Sequence, residues 1–175
     1  MSNAAMTVDL VDARQSSTDR DWLSNIYPFY LHDLSEFDDG YYRLRNDGRW
    51  DPDYLPSWLA DNTDYPYHHA TPHGRAGFAL VNTAPSPHIM PGADYRLSEF
   101  FVLRAFRRAG VGRRAAFALF DRFPGIWGIR ELPRNGAAIA FWRATIRKYV
   151  GGRYEETMTH EAVRQIFDSR HRAAC

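Results

Sequence analysis

The sequence contains one cysteine, Cys175, at the end of its 175 residues. A single cysteine forms no internal disulfide and no zinc site by itself, so nothing indicates an oxidising compartment. No stretch reaches the roughly 18 consecutive apolar residues of a membrane-spanning helix. Residues 1–6 lack the basic and apolar regions of a secretory signal and have the character of a disordered or tag-like segment. We therefore predict a cytoplasmic protein without a membrane partner.

The remaining composition is typical of one soluble domain. Hydrophobic residues make up 45% and charged residues 25% of the chain, which argues against disorder. A chain of this length is about one domain, and it hides enough surface on folding to form a core without disulfides. We assign the domain to residues 7–168 and a carboxyl-terminal tail to residues 169–175.

Charge is divided unevenly along the chain. Residues 1–87 hold six arginines and thirteen acidic residues, a net −7, whereas residues 88–175 hold sixteen basic and eight acidic residues, a net +8. A nucleic-acid-binding domain usually has one broad basic face and a pI above ~9, whereas this pI is about 7.9. The division favours an anionic ligand on the second half and a cationic one on the first, and no nucleic-acid partner. The alternative is a drift in composition without a partner.

Hydrophobic spacing and turn residues predict an α/β domain with the order β, α, loop, β, β, α, β, α, β, β. The predicted strands are 7–12, 77–82, 95–103, 126–132, 153–159 and 162–167, and the predicted helices are 19–37, 112–123 and 136–149, with a short helical turn at 55–60. Pro28 is expected to kink or split the first helix. Residues 40–74, rich in Tyr, Trp, Asp and Pro, are expected to be irregular. Such a loop often binds a ligand, and the alternative is that its aromatic residues pack it onto the sheet.

The most informative stretch joins the strongest strand signal to a helix. Phe100–Leu103 runs into Arg104-Ala105-Phe106-Arg107-Arg108-Ala109-Gly110-Val111-Gly112-Arg113-Arg114, and a helix follows directly. Glycines allow close backbone approach, and free N–H groups at a helix start favour an anion. Arginine adds forked donors that suit phosphate. The stretch lacks the endings of a P-loop and of a Rossmann fingerprint, so it predicts a different kind of phosphate site, or simply a helix start.

Two motifs together resemble the GCN5-related N-acetyltransferase (GNAT) superfamily. Arg107-Arg108-Ala109-Gly110-Val111-Gly112 is similar to its Arg/Gln-x-x-Gly-x-Gly/Ala cofactor motif. Asn135, which is also suited to cap a helix, begins a segment ending in Phe141-Trp142 that is similar to the later Asn…Phe-Tyr motif. The resemblance covers about residues 8–167. It implies a single domain with a mixed, mostly antiparallel sheet of six or seven strands flanked by helices.

The resemblance also implies a set of contacts with acetyl-CoA as co-substrate. Backbone groups of Val102 and Leu103 are expected to pair with the pantetheine arm, and Asn135 to bind the same region. The pyrophosphate is expected to lie against the loop, held by the segment Arg107, Arg108, Ala109, Gly110, Val111, Gly112 and Arg113. Trp142 is expected beside the thioester.

Trp142 also departs from the pattern, because many superfamily members have there a tyrosine that protonates the leaving thiolate. The tryptophan N–H is no acid at useful pH. Tyr149 or water then takes this role, the thiolate leaves unaided, or catalysis is lost. Glu99, a carboxylate within an apolar strand, is the candidate base, since burial raises a carboxyl pKa. Its alternatives are pairing with an arginine such as Arg96, or facing away from the cleft.

The histidines and the acidic residues of the chain bear on two other kinds of site, a metal site and a binding site for the acceptor. His68, His69, His73 and His88 lack helical His-x-x-x-His spacing, so we predict no metal site. The carboxylates and aromatic residues of 33–64, including Trp50, Tyr54 and Trp58, form either a solvated face or the acceptor side.

These inferences predict an acetyl-CoA-dependent N-acetyltransferase. Transfer to a primary amine, on a cationic small molecule or a peptide, would be direct. The alternative is a non-catalytic acyl-CoA-binding sensor of the same fold. A homodimer is compatible with these inferences, and the sequence indicates no more about the oligomeric state.

Overall fold

The computed structural model describes residues 6–60 and 63–173. The tag-like segment up to residue 5, Asp61 of the acidic run and Cys175 lie outside these residues. The described chain forms nine strands and four α-helices. The strands are β1 (Asp9–Asp12), β2 (Arg43–Leu44), β3 (Trp50–Asp51), β4 (Tyr65–Thr71), β5 (Gly74–Thr83), β6 (Tyr95–Val102), β7 (Ile126–Glu131), β8 (Glu155–Met158) and β9 (Val163–Asp168), and the α-helices are α1 (Ser17–Ser35), α2 (Leu55–Ala60), α3 (Val111–Arg122) and α4 (Gly136–Val150).

Seven of these strands form one mixed sheet in the order β1-β4-β5-β6-β7-β9-β8, and β2 pairs with β3 in a separate small hairpin. All neighbours in the large sheet are antiparallel except β6 and β7, which are parallel. The predicted mixed, mostly antiparallel sheet is confirmed.

The parallel pair at the centre of the sheet is incomplete. β6 pairs with β7 only from Tyr95 to Leu97, although β6 continues to Val102 along its other neighbour, β5. Ser98–Val102 therefore has no strand partner on the β7 side within the described residues. An unpaired strand edge presents N–H and C=O groups to any molecule that enters the gap.

Apolar side chains cover both faces of the sheet in two clusters. One face packs against α3 and α4 through large buried residues such as Leu119, Phe120, Trp127 and Ile146. The other face packs against α1 and α2 through a smaller cluster that includes Leu23, Leu31, Leu55 and Phe78. The unpaired part of β6 lies between these two layers.

The helix ends follow their capping residues. Ser16 caps α1, its hydroxyl accepting from the Asp19 N–H at 3.0 Å, and Asn135 caps α4 by accepting from the Ala138 N–H at 3.0 Å. α1 continues through Pro28 from Ser17 to Ser35, so the expected split of this helix is wrong. No helix within the described chain is long and apolar enough to cross a membrane.

The prediction that 40–74 is irregular is correct only for its first part. Tyr65–Thr71 forms β4, between β1 and β5. The strand was missed because Pro66 and two adjacent histidines interrupt the apolar alternation. Because β4 is paired with a strand on each side, His68 and His69 are buried within the sheet. The short helix at 55–60 was predicted correctly.

Candidate active site

A cleft of about 940 Å³ opens where β6 and β7 separate. Its walls come from the carboxyl-terminal halves of both strands, from α1, from the aromatic segment before β4 and from the start of α4. The lining side chains used below are Tyr30, Tyr41, Tyr42, Tyr54, Trp58, Asp64, Asn82, Arg96, Ser98, Glu99, Phe100, Arg130, Glu131, Asn135 and Trp142.

Glu99 faces this cleft because β6 contains a bulge. Leu80 of β5 is opposite Glu99, whereas Val81 is opposite Leu97, so Ser98 is an additional residue without a partner on β5. A bulge re-aims the side chains beside it. Leu97 packs with the α3 and α4 layer, while Glu99 lies on the α1 face with Phe101.

The Tyr30 hydroxyl of α1 donates a hydrogen bond to Glu99 Oε2. Burial raises the pKa of Glu99 to about 7, although the Tyr30 hydrogen bond and the nearby positive charge of Arg96 pull this pKa downward. A carboxyl group with a pKa near 7 is half ionised at neutral pH and is suited to accept a proton. The alternative in which Glu99 pairs directly with Arg96 is not observed, since no ion pair joins them in the described chain.

A separate chain of polar groups begins at Ser98, next to Glu99 in sequence, and runs into the wall of the cleft. Ser98 donates to Asn82 Oδ1, and Asn82 Nδ2 donates to Asp64 Oδ2 at 2.6 Å. Asp64 also accepts from the Thr83 N–H at 3.2 Å. The bulged residue is therefore tied to β5 through side chains where its backbone register is broken.

Trp142 and Asn135 lie on the α4 side of the cleft. The Trp142 ring is buried and packs edge-on against Phe100, with ring centroids 5.0 Å apart, and against Phe141 at 4.8 Å. The Asn135 side-chain oxygen is occupied by the helix cap, and its amide nitrogen is free of any such bond in the described residues. An N–H donor and an aromatic wall therefore border the gap between the strands.

The loop after β6 presents a row of unused backbone donors. In the described chain, the N–H groups of residues 108–113 have no hydrogen-bond acceptor, whereas the next one, on Arg114, donates to the Gly110 carbonyl at 3.1 Å. Arg108 and Gly110 both adopt positive φ, 64° and 77°, which turns successive amides of the loop. Successive N–H groups in such a conformation form an anion-binding concavity.

The arginines of this loop have different contacts. Arg107 is held within the protein, because its Nε donates to the Val102 carbonyl at 2.7 Å and its Nη2 to Asp33 of α1 at 2.8 Å. Arg104 also pairs with Asp33, at 2.9 Å. Arg108 and Arg113 are exposed and form no ion pair in the described chain. These two side chains, rather than Arg107, are free to meet an anion.

The backbone contacts expected of Leu103 do not fit the structure. The Leu103 N–H donates to the Ala76 carbonyl at 2.8 Å, and its carbonyl accepts from Phe106 at 2.9 Å. Because backbone groups alternate along a strand, the N–H of Val102 points the other way, into the gap beside β7. Val102 keeps this donor for a ligand, although its carbonyl is taken by Arg107.

Tyr149, the candidate acid, lies away from the cleft. Its hydroxyl donates to Asp121 of α3 at 2.6 Å, and its ring packs against Phe117 and Phe120 in the layer between α3 and α4. Burial and the Asp121 contact raise the pKa of this phenol, which makes it a weaker acid. The structure brings Glu99, Asn135 and Trp142 to one cleft and leaves Tyr149 outside it.

The acidic and aromatic segment forms the outer wall of the cleft. Tyr41, Tyr42, Tyr54 and Trp58 line it, and the hydroxyls of Tyr41 and Tyr54 are 2.5 Å apart. Trp50, also expected there, does not line the cleft and packs against His32. The expected position of this segment beside the site is otherwise correct for Tyr54 and Trp58.

Three cleft residues were missed by sequence reasoning: Tyr30, Arg130 and Glu131. Tyr30 belongs to the apolar stripe of α1, where an aromatic residue predicts only packing. Glu131 is the last residue of β7, and both its carboxyl oxygens are buried without a partner in the described chain. Burial, reinforced by Glu156, raises the pKa of Glu131 to about 8. Strand alternation at β7 could have shown that Glu131 shares a face with Trp127 and Ile129.

The histidines are separated by the fold. His68 contacts Asp19 Oδ1 at 3.0 Å, while His69 is fully buried, with both ring nitrogens lacking a partner in the described chain. Residues 6–60 and 63–173 contain no group of three or more His, Cys, Asp or Glu side chains arranged to hold a metal ion.

Comparisons with known proteins agree with this geometry at the level of the fold. No family model and no curated protein matches the chain. Among solved structures, an acetyltransferase from Thermus thermophilus is 17% identical with a TM-score of 0.59, covering 94% of this chain and 98% of the other. A Corynebacterium glutamicum protein described as histone acetyltransferase HPA2 and related acetyltransferase is 9% identical with a TM-score of 0.64, covering 93% and 95%.

A third similar structure, a Bacillus subtilis acetyltransferase in complex with CoA, is 10% identical with a TM-score of 0.54, covering 93% of this chain and 98% of the other. Together these similarities show that the chain has the GNAT acetyltransferase fold. The resemblance read from the sequence is confirmed at that level.

Proposed function

We propose that this protein is an acetyl-CoA-dependent N-acetyltransferase that transfers the acetyl group directly to a primary amine. The observation that carries the proposal is the gap between β6 and β7, which runs from the loop with its row of free N–H groups to a partly buried carboxyl, Glu99. In this arrangement the pyrophosphate of CoA lies on the N–H groups of residues 108–113, assisted by Arg108 and Arg113. The pantetheine arm enters the gap, where the Val102 N–H and the Asn135 amide are available.

Glu99 then acts as the base. The amine arrives as an ammonium ion and gives one proton to Glu99, which passes it to solvent. The neutral amine attacks the thioester carbonyl, so a C–N bond forms and the C–S bond breaks. The nitrogen loses a second proton by the same route, and the CoA thiolate takes one from water. The protein contributes by orienting the two substrates and by removing protons, and both effects increase the rate of such reactions by large factors.

The acceptor side of the cleft supports an amine that arrives with positive charge. Aromatic faces at Tyr42, Tyr54 and Trp58 and the carboxyl group of Glu99 suit an ammonium ion, because each cation–π contact contributes about 0.5–2 kcal/mol. A cationic small molecule or a peptide amino group is the proposed acceptor class.

The second candidate is a sensor that binds acyl-CoA without turning it over. Trp142 favours the sensor, because it stands where the resemblance predicts a tyrosine that protonates the thiolate. Tyr149, the other candidate acid, lies outside the cleft. Two measurements on the same sample separate the candidates: calorimetric titration with CoA, and thiol release from acetyl-CoA with and without added amines. The transferase binds CoA and releases thiol only with an amine, whereas a sensor binds CoA and releases none. Absence of CoA binding contradicts both.

A further inference from the structure

Three arginines project from one face of three neighbouring strands. They are Arg96 of β6, Arg130 of β7 and Arg164 of β9. Arg96 is in register with Gly128, two residues before Arg130 on the same face of β7, and Arg130 is directly opposite Arg164. The alternate residues of these strands, such as Leu97, Ile129 and Phe167, face the α3 and α4 layer instead. The sheet therefore carries a row of positive charge on its α1 side.

No acidic side chain of the described residues forms an ion pair with this row, although the charge of Glu99 acts on Arg96 from a greater distance. None of the three arginines forms an ion pair within residues 6–60 and 63–173, whereas Arg14, Arg75, Arg107 and Arg143 each pair with an acidic residue. Like charges directly opposite one another across a sheet are destabilising. Without an added anion, the Arg130 and Arg164 pair is therefore unfavourable.

Arg96 is partly buried, and not all of its guanidinium N–H groups have a hydrogen-bond acceptor. Its Nη1 donates to the His88 carbonyl at 2.9 Å, and its Nε is buried with no acceptor in the described chain. A buried donor without a partner costs free energy that an incoming acceptor recovers. Burial lowers the pKa of Arg96, the charge of Glu99 partly offsets this by raising it, and the neighbouring charge of Arg130 lowers it again.

Arg96 and Arg130 belong to the cleft that contains Glu99, while Arg164 lies outside its lining. Arg96 is three residues from Glu99 on β6, and the positive charge of Arg96 is close enough to lower the pKa of Glu99. One small molecule in the cleft can thus meet the carboxyl group and the two guanidinium groups together. Guanidinium forks bind carboxylates and phosphates with paired hydrogen bonds.

We propose that the acceptor is an amine that also carries an oxyanion, a carboxylate or a phosphate, which Arg96 and Arg130 bind while the amino group faces Glu99. The inference rests on the proposed acetyl transfer and revises its acceptor class from amines with a net positive charge to ammonium compounds that also carry an anion, such as amino acids. Glu99 and the aromatic wall receive the ammonium end, and the arginines select the other end.

The test compares amines that differ only in the anion. The pairs are L-phenylalanine with phenethylamine, L-lysine with cadaverine, and O-phosphoethanolamine with ethanolamine, with kcat/KM measured for each. We expect the anionic member of at least one pair to be favoured by about tenfold to a hundredfold, as charge-assisted hydrogen bonds imply. The first two pairs report a carboxylate and the third a phosphate.

Substitutions assign the preference to residues. Arg96→Gln removes the charge and is expected to bring the ratio within a pair close to one, chiefly by raising KM for the anionic amine. Arg130→Gln is expected to reduce the kcat/KM ratio within a pair by a smaller factor, because Arg130 is exposed. This variant tests the proposal if Arg96→Gln does not fold. Arg147→Gln, an exposed arginine in the last turn of α4, makes the same change in net charge and leaves the ratio unchanged.

Two results overturn the proposal: equal kcat/KM within all three wild-type pairs, or equal losses for both members of a pair in Arg96→Gln. If no amine is acetylated, the proposed function fails, and calorimetry then decides this inference separately. N-acetyl-L-phenylalanine is expected to bind more tightly than N-acetylphenethylamine in the wild type and with similar affinity in Arg96→Gln. Equal binding of the two compounds by the wild type contradicts the anion site.

Discussion

At the scale of single residues, the hydrogen bond from Tyr30 to Glu99 opposes the effect of burial on the pKa of this carboxyl group. Partial burial of Glu99 favours its neutral form, whereas the phenol hydroxyl stabilises the ionised form. Tyr30 is held against Phe78 and Phe101 by ring contacts, with centroids 5.5 and 5.9 Å away, so its hydroxyl is fixed in position. We regard Tyr30 as a positioning residue for the base.

We expect Tyr30→Phe to move the pH dependence of kcat/KM. In the proposed mechanism activity requires ionised Glu99, so kcat/KM is expected to rise with pH through the Glu99 pKa of about 7. Loss of the hydroxyl raises that pKa, so the rising limb moves above pH 7. The variant is then much slower than the wild type near pH 7 and approaches it at higher pH. Tyr27→Phe, on the same helix and without a hydrogen bond to Glu99, is the control. A uniform loss at all pH values, with an unmoved limb, contradicts this role.

His69 supplies a second prediction at this scale, on stability. Its ring is fully buried, 5.1 Å from Phe100, and burial lowers the pKa of His69 to about 3 from its ordinary value near 6.5. The unfolded chain therefore binds a proton at this residue between pH 6.5 and 3 that the folded protein does not. This contribution to stability is complete above pH 6.5 and is lost as the pH falls.

His69→Leu is expected to reduce the dependence of the unfolding free energy on pH between 7 and 4, relative to the wild type. The difference between the two proteins isolates His69 from the carboxyl groups that also titrate in this range. His160→Leu, at an exposed ring, controls for loss of an imidazole. Urea unfolding at several pH values measures the effect. Parallel curves for the wild type and His69→Leu contradict the assignment.

At the scale of elements, the start of α3 combines close packing with a free row of N–H groups. A Cβ atom added at Gly112 would lie 3.3 Å from the Phe141 ring and 3.5 Å from Val102 Cγ2. The glycine therefore lets the helix start approach both β6 and α4. This packing brings the loop after β6, the unpaired edge of β6 and the amino-terminal cap of α4 close together.

The pair Gly112→Ala and Gly112→Asp separates packing from charge at this element. Both add the crowded Cβ, and only the aspartate adds a negative charge at the proposed pyrophosphate position. We expect Gly112→Asp to weaken CoA binding at least about tenfold more than Gly112→Ala, because like charge opposes the helix-start anion site. Calorimetry measures the affinities, and thermal unfolding establishes that both variants are folded. Equal affinities in the two variants contradict the loop assignment.

The same elements show what sequence patterns predict and what they omit. Strong local signals, such as the Asn135 cap and the apolar run of β6, predicted α4 and β6 to within a residue or two. β4 was missed because its burial comes from neighbours distant in sequence, which local alternation does not record. The bulge at Ser98, which aims Glu99 into the cleft, is likewise a result of pairing with β5.

At the scale of the whole molecule, the charge division corresponds in part to the positions of the loop after β6 and of the outer wall of the cleft. The loop with its free N–H groups comes from the basic half, and the aromatic wall with Asp64 comes from the acidic half. Arg96 and Arg130, however, place positive charge within the cleft itself. Net charge counted along a chain cannot show this, because it does not distinguish paired arginines such as Arg107 from unpaired ones such as Arg96.

The positions of several candidate residues were predictable from the sequence. Asn135, Glu99 and the Arg107–Gly112 loop lie at the gap or beside it, and their functional roles stay predictions. The roles of individual side chains were less predictable, because they depend on which partner each one finds. Arg107 donates to the Asp33 carboxylate, and the Tyr149 hydroxyl donates to the Asp121 carboxylate. The Leu103 N–H donates to the Ala76 carbonyl.

Amine-dependent thiol release, measured at pH 7 in the wild type and in Glu99→Gln, tests whether the cleft transfers an acetyl group with Glu99 as the base. Glutamine keeps the size of the side chain and removes its proton-accepting carboxylate. We expect thiol release by the wild type only when an amine is present. We expect a rate about 10²–10⁴-fold lower for the folded variant, with unchanged CoA affinity. Equal rates for the two proteins, or no amine-dependent release by the wild type, would contradict the proposed mechanism.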